Sequence, residues 1–224
     1  MPTLLLRGLT SLRALPSLGG LSPDLLREYV AKWRHYRAHL TPWARLQLDM
    51  ELAKRRCFRR GDIFGEVLQL LREDRLALGE HTFFEDGVWL TSHTGRIEIG
   101  THCVLNRNVM IAASQLIQIG DYSMIGNGCV ITDSFHDNED TDVPMPWQGY
   151  TSKGPTRIGD NTWIGVNSVV TSGVTIGRRC AIGANSVVTH DIPDYSLAVG
   201  SPARVIRSLR ATLNGATQED TEGG

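Results

Sequence analysis

The chain has 224 residues, 41% of them hydrophobic, and a formal net charge of −1. That length accommodates one large domain or a domain with an appendage. No apolar run approaches the roughly 20 residues needed to cross a bilayer, and Leu4-Leu5-Leu6, cut by Arg7, is too short for a signal-peptide core. The four cysteines, Cys57, Cys103, Cys129 and Cys180, stand apart from one another, which fits neither a disulfide framework nor a Cys-only zinc site. A reducing, cytoplasmic location is expected, with no metal and no nucleic-acid partner.

In chain order, residues 1–20 read as a flexible or docking arm. Ser22-Pro23-Asp24 and Thr41-Pro42 each place Pro after a capping residue, the signature of a helix start, and Asp62 is a candidate opener for a third helix. Residues 1–77 hold 14 Lys/Arg against 8 Asp/Glu, leaving 9 against 16 for the rest. The sharpest basic point is Lys54-Arg55-Arg56-Cys57-Phe58-Arg59-Arg60. It is either a solvated helix face or a contact for an anionic partner.

The remaining two-thirds repeat with a period of six. Apolar anchors followed mostly by small residues occur at Ile99, Leu105 and Ile111, at Ile119, Ile125 and Ile131, and then at Ile158, Ile164, Val170, Ile176, Ile182 and Val188. A fainter triplet, Leu78, Phe84 and Leu90, extends the series backwards. Four residues after an anchor the side chain is usually small or medium. Strands of about six residues with inward anchors and outward polar residues predict a three-sided coil, and stacked coils predict a parallel β-helix. Residues 78–200 would form it in about five coils, with residues 1–77 as the arm and helical cap.

The interruptions fall at Leu90–Ile99, Ile111–Ile119 and Ile131–Ile158, each after the third anchor of a set. All insertions therefore leave from one vertical edge. The long loop 137–157 rises beside the shorter ones, and insertions sharing a face often mark the binding side. Asp191-Ile192-Pro193-Asp194 ends the repeat, Ser201-Pro202 predicts a short helix from about Ala203, and residues 215–224 read as a disordered acidic tail.

Three strings carry a family resemblance: Ile131-Thr132-Asp133-Ser134-Phe135-His136, Ile158-Gly159-Asp160-Asn161-Thr162-Trp163-Ile164-Gly165, and Asp191-Ile192-Pro193 through Gly200-Ser201-Pro202-Ala203-Arg204-Val205-Ile206. Over residues 96–207, half of the chain, it resembles the left-handed β-helix, hexapeptide-repeat acyltransferases of the maltose, galactoside and surface-polysaccharide O-acetyltransferase type. The resemblance implies a left-handed coil, acetyl-CoA as donor, a homotrimer with sites between subunits, and His136 as general base. An unperturbed imidazole titrates at roughly 6.5, which suits removal of a hydroxyl proton near neutral pH.

The same resemblance assigns Asn106 to the acceptor hydroxyl, although a corner Asn is an equally ordinary residue. Asp133 would orient His136, bind acceptor, or stand as a surface Asp. Trp163 points outward and would line the cofactor arm or the acceptor, or else form a subunit contact. Trp147 and Tyr150 would stack on a sugar ring or pack the loop. A backbone N–H near Gly165-Val166 would serve as oxyanion donor. Ala184, Thr189, Arg204 and Arg207 would contact the cofactor, with His190 where relatives often carry Lys. Ala112-Ala113-Ser114 replaces the acidic residues of galactoside enzymes, which turns the expected acceptor towards another saccharide. Position 141 is Thr, so the three-His metal set of carbonic anhydrases on this fold is missing. Xenobiotic (chloramphenicol-type) acetyltransferases and a non-catalytic β-helix scaffold are the rival readings.

Overall fold

The computed structural model describes residues 41–210 together with Arg27 and Val30. Arg27 and Val30 are helical. The N-terminal arm, the rest of the helix expected from Ser22-Pro23-Asp24, and the acidic tail lie outside the described residues. Two compact units are distinguished, Met1–Thr41 and Pro42–Gly224, and every described strand belongs to the second.

Three parallel sheets form the sides of a column. The first face stacks Phe58–Arg59, Phe83–Phe84, Val104–Leu105, Met124–Ile125, Trp163–Ile164, Ala181–Ile182 and Ser196–Gly200. The second stacks Ile63–Gly65, Val88–Ser92, Met110–Ala113, Val130–Thr132, Val169–Val170 and Val187–Val188, and the third Leu76–Leu78, Arg96–Ile99, Leu116–Ile119, Thr156–Ile158 and Thr175–Ile176. Each strand pairs with its equivalent one turn on, so the chain winds as a β-helix. The bridge Ile176 to Ile192 closes the sixth turn. We call the edge between faces one and two the first edge, that between two and three the second, and that leading to the next turn the third.

The anchors fill the interior. Phe84, Leu90, Leu105, Ile111, Ile125, Ile131, Ile164, Val170, Ile182 and Val188 are fully buried, and burying an aliphatic side chain contributes about 1.5–3 kcal/mol before entropy is counted. The small residue four places after an anchor does more than fit a corner. On the third edge Cys57 donates to Gly79 O at 3.2 Å, Thr82 to Gly100 O at 2.7 Å, Cys103 to Gly120 O at 3.2 Å, Ser123 to Gly159 O at 3.1 Å, Thr162 to Gly177 O at 3.0 Å and Cys180 to Pro193 O at 3.1 Å. A column of hydroxyls and thiols thus satisfies carbonyls that the turning backbone would otherwise strand in the core. Burial pushes all four thiols up, Cys103 to about 11.

The corners require left-handed backbone. His81, His102, Tyr122, Asn161, Arg179 and Tyr195 hold φ of 53 to 62° at the third edge. At the first edge the same demand is met by Gly87, Gly128 or an Asn. A Cβ at Gly128 would lie 2.5 Å from the Asn167 side-chain oxygen of the next turn, so a larger residue there would have to displace that amide.

Three expectations are corrected. The column begins at Phe58, and residues 58–78 are its first turn, giving six turns. Asp62 opens no helix: Ile63–Gly65 is a strand, and the helix Val67–Arg72 follows as an insertion. Alternation in Phe58–Gly65 is hidden in the sequence by the arginines of the same stretch. The helix Pro42–Lys54 begins where Thr41-Pro42 predicts and packs Leu48 and Leu52 inward. At the other end no helix starts at Ala203. Ala203–Ser208 is a strand antiparallel to Ser196–Gly200, because the Gly200–Pro202 turn reverses the chain onto the open end of the first face, and among the described residues after it Arg210 alone is helical.

Outward side chains differ from face to face. Down the first face run Phe58, Phe83, Val104, Met124, Trp163, Ala181 and Leu197. The second carries Phe64, Trp89, Met110, Val130, Val169 and Val187. The third carries Ala77, Glu98, Gln118, Arg157 and Thr175. Two faces are apolar and one is polar.

Candidate active site

Every insertion leaves from the second edge: the helix Val67–Arg72, the bend at 93–95, the pair 114–115 and the long segment 133–155. The long one opens as a two-residue antiparallel ladder, Phe135–His136 against Tyr150–Thr151. His136 is exposed, and its ring lies 4.4 Å from that of Tyr150 with a 35° tilt. Lys153 sits 5.8 Å over the Phe135 ring. Gln148 closes the loop by donating to Asp140 O and Val143 O, both at 2.7 Å, and accepting from Asp140 N. Trp147, 79% exposed, ends the short Met145–Trp147 turn at its tip.

The base of this ladder is fixed by Asp133. Its carboxylate is wholly buried and accepts from the N–H groups of Ser114, Gln115 and Leu116 at 2.6–2.7 Å. Its carbonyl accepts from the Ser152 and Ser172 hydroxyls. An insertion of two residues in the preceding turn leaves N–H groups without ladder partners, and a carboxylate one turn on satisfies them.

The first edge is built differently. Successive turns place Asn106, Gly126, Gly165 and Gly183 there, and their N–H groups donate to Ile125, Ile164, Ile182 and Ala198 carbonyls at 2.8–3.0 Å. The N–H of the following residue in each turn, Arg107, Asn127, Val166 and Ala184, donates to no protein acceptor among the described residues. On the third edge the corresponding groups are capped: Thr101 N by Asp121, Asp121 N by Asp160 and Arg178 N by Asp194. A row of free backbone donors along one edge can hold carbonyl or oxyanion oxygens. Trp163, 48% exposed, lies on the first face just before this row.

The hexapeptide-repeat family described as "Hexapeptide repeat of succinyl-transferase" matches residues 155–190. Galactoside O-acetyltransferase of Escherichia coli is 34% identical over 140 residues, covering 62% of this chain and 67% of that one. A hexapeptide-repeat-containing acetyltransferase from Vibrio cholerae superposes with a TM-score of 0.53 at 34% identity, over 63% of this chain and 78% of its own. The chain belongs to the hexapeptide-repeat acetyltransferases. A probable acetyltransferase of Mycobacterium tuberculosis is 34% identical over 199 residues, 85% of this chain. The chain spans 66% of that relative's length and 37% of staphylococcal relatives sharing 51% identity over 73 residues. An N-acyltransferase from Bacillus cereus, solved with dTDP and 3-hydroxybutyryl-CoA, shares the fold at 19% identity with a TM-score of 0.57, over 75% of this chain and 92% of its own.

In this hexapeptide-repeat acetyltransferase chain, the residues singled out by sequence fall into two groups. Asn106, Trp163, Gly165, Val166 and Ala184 line the first edge and the face beside it. Asp133, His136, Trp147, Thr189 and His190 belong to the second edge, where Thr189 Oγ1 lies 2.8 Å from His190 Nδ1. The whole second face separates the two groups within one chain. Arg204 shares a shallow cleft with His190, Asp191, Ile192 and Ala203; Arg207 stands opposite Leu197 in the closing hairpin.

Two of these readings change. Asp133 is neither an acceptor ligand nor a surface residue, since backbone donors occupy its carboxylate. The Gly165 N–H is committed to Ile182 O, leaving Val166 N–H as the free donor of that pair. The Asn106 amide donates to Ile125 O at 2.8 Å. The basic run at 54–60 offers no idle cation: Lys54 and Arg55 pair with Glu51, Arg56 with Glu80, Arg59 with Asp49 and Asp62, and Arg60 with Glu85. These are mostly exposed pairs of small individual worth, and Lys54 and Arg55 share the single carboxylate of Glu51. Sequence reasoning missed Gln148, Ser152 and Ser172 as supports of the loop. A second Ser, at 172, in the turn after the Asp133 insertion was the available signal. No helix among the described residues is long and apolar enough to cross a membrane, and no cluster of three metal-ligating side chains occurs among them.

Proposed function

We propose that the protein is a cytoplasmic, homotrimeric O-acetyltransferase that moves the acetyl group of acetyl-CoA onto a hydroxyl of a saccharide-type acceptor. The observation that carries this reading is the division of the candidate residues between two edges at the two ends of the apolar second face. Around a threefold axis with second faces turned inward, the first edge of one copy lies against the second edge of the next. That arrangement buries Trp89, Met110 and Val130. It also brings His136 of one copy opposite Asn106, Trp163 and the free N–H row of its neighbour. Neither edge makes a site alone.

In this site the thioester runs along the row of donors, with Trp163 against the pantetheine arm. Val166 N–H points at the thioester oxygen. His136 takes the acceptor's hydroxyl proton as that oxygen attacks the carbonyl carbon, and the C=O electron pair moves onto oxygen to give a tetrahedral oxyanion held by Val166 N–H. The oxyanion re-forms the carbonyl and expels the CoA thiolate, which the imidazolium protonates. Tyr150 holds the imidazole in position. Thr189, His190, Arg204 and Arg207 contribute to the nucleotide end, where hydroxyl and cationic groups suit phosphates. Four unpaired, buried thiols support a reducing compartment.

The test is release of free CoA thiol from acetyl-CoA with methyl glycosides as acceptors. We expect His136→Ala to lower kcat by about 100-fold or more while acetyl-CoA affinity by calorimetry stays near that of the unaltered protein. Full activity in the alanine variant would remove His136 from the mechanism.

A further inference from the structure

We infer that the cleft at the first-turn end of the first edge binds a second sugar unit of the acceptor, with Asp86 and Arg45 as its hydrogen-bonding side chains; the inference rests on the acetyltransferase reading above. Arg59 pairs with Phe84, Phe84 with Leu105 and Leu105 with Ile125. Two residues further on, Gly61, Asp86, Arg107 and Asn127 therefore occupy one position in four successive turns, and Val166 and Ala184 continue the line. The thioester takes the Val166 end of this line, and Asn106 meets the reacting hydroxyl. The rest of a larger acceptor then runs the other way, towards Asp86 and Gly61, one and two rungs of about 4.8 Å beyond Arg107.

A cleft of about 350 Å³ opens at that end, lined by Arg45, Asp49, Arg59, Gly61, Asp62 and Asp86. Small-molecule sites span roughly 300–1,000 Å³, and a lining of charged side chains and one glycine suits a ligand covered in hydroxyls. Part of the lining is structural. Arg59 gives Nε and Nη2 to the Asp49 carboxylate at 2.6 and 3.0 Å and Nη1 to Gly61 O, which ties the helix Pro42–Lys54 to the first turn. Asp86 and Arg45, on either side of Asp62, have capacity left. Asp86 Oδ1 accepts from Asp62 N at 2.8 Å, whereas Oδ2 has no partner among the described residues. That oxygen is open to solvent, since Glu85 Oε2 alone among the described side-chain oxygens and nitrogens is both buried and unpartnered. Arg45, 44% exposed, gives Nη2 to Asp62 Oδ2 at 2.6 Å and keeps Nε and Nη1 free. A Cβ at Gly61 would lie 2.3 Å from Asp86 Oδ1, so the glycine makes room for the carboxylate. A sugar hydroxyl both donates and accepts, and neighbouring hydroxyls of one ring meet the Asp86 oxygen and the Arg45 guanidinium together.

The experiment measures transfer from acetyl-CoA to the methyl monosaccharide with the best turnover and to methyl disaccharides containing that sugar, using unaltered protein, Asp86→Ala and Arg45→Ala. We expect the best disaccharide to have a KM roughly 10-fold below that of the monosaccharide, and each variant to abolish the advantage, as loss of a charged hydrogen bond requires. The Tm of Arg45→Ala should stay that of the unaltered protein. If no disaccharide outperforms the monosaccharide, or the ratio of the two KM values is unchanged in both variants or changes only where Tm falls, the role of the cleft alone is overturned. If the unaltered protein transfers acetyl to no glycoside, the acetyltransferase reading for saccharides fails, and the inference with it.

Discussion

His136 and Tyr150 are paired residues of a two-rung antiparallel ladder whose rings sit 4.4 Å apart across the mouth of the long insertion. The ladder fixes the histidine backbone, and the phenol ring limits where the imidazole can turn. We expect Tyr150→Ala to reduce kcat by about 10-fold and Tyr150→Phe to reduce it little, since the contact is through the ring face and worth roughly 0.5–1.5 kcal/mol. Steady-state kinetics on both variants is the check, and equal losses would assign the role to the hydroxyl.

Removing the Asp133 carboxylate strands three backbone donors at once. Asp133→Ala should cost about 3 kcal/mol or more of folding free energy, read by urea unfolding. Glu139→Ala, on the exposed part of the same loop, should cost well under 1 kcal/mol.

The second face offers a test of assembly. Met110→Glu places a charge in the middle of the apolar column and should yield monomers by light scattering, with loss of activity. Gln118→Glu, on the polar third face, should remain trimeric and active. A trimeric Met110→Glu protein would contradict the proposed packing.

Stability should fall in alkali. The thiol of Cys103 moves from its ordinary value of 9.0 to about 11 through burial, and Cys57, Cys129 and Cys180 shift the same way. Above pH 9 the unfolded chain releases these protons while the folded chain retains them, so unfolding gains a driving force as pH rises from about 9 towards about 11. Thermal melts across that range, with Cys103→Ser alongside, should show a steeper decline for the unaltered protein. Below pH 9 the thiols should make no difference to the pH dependence.

The column is legible in the sequence because its rule is local: an inward anchor every six residues survives any outward sequence. Ile158 to Val188 obeys that rule without interruption. The turn from Phe58 to Leu78 is concealed because Arg59 and Gly65 stand at the positions of the anchors Phe84 and Leu90, and the helix Val67–Arg72 is inserted before Leu78. Ala203 misleads since Ser-Pro serves helix starts and tight turns alike. His136 and the edge it leaves from are legible, as insertions break the period visibly. The role of Asp133 is not, because its partners are backbone groups of another turn, and backbone N–H groups carry no sequence signal. Counting anchors in threes places every insertion on one edge, but the apolar second face becomes visible only when outward residues from six turns are aligned.

The confinement of all insertions to one edge has a consequence for how such a protein can diversify. The other two edges set the donor row and the interior, and any change of length there shifts the register of every later turn. At the second edge a segment can lengthen, shorten or be exchanged while the strands on either side keep their partners. In the proposed enzyme, new acceptor preferences can therefore be acquired by exchanging residues 138–148 at the outer end of the long loop, leaving the His136–Tyr150 ladder and its Asp133 base in place.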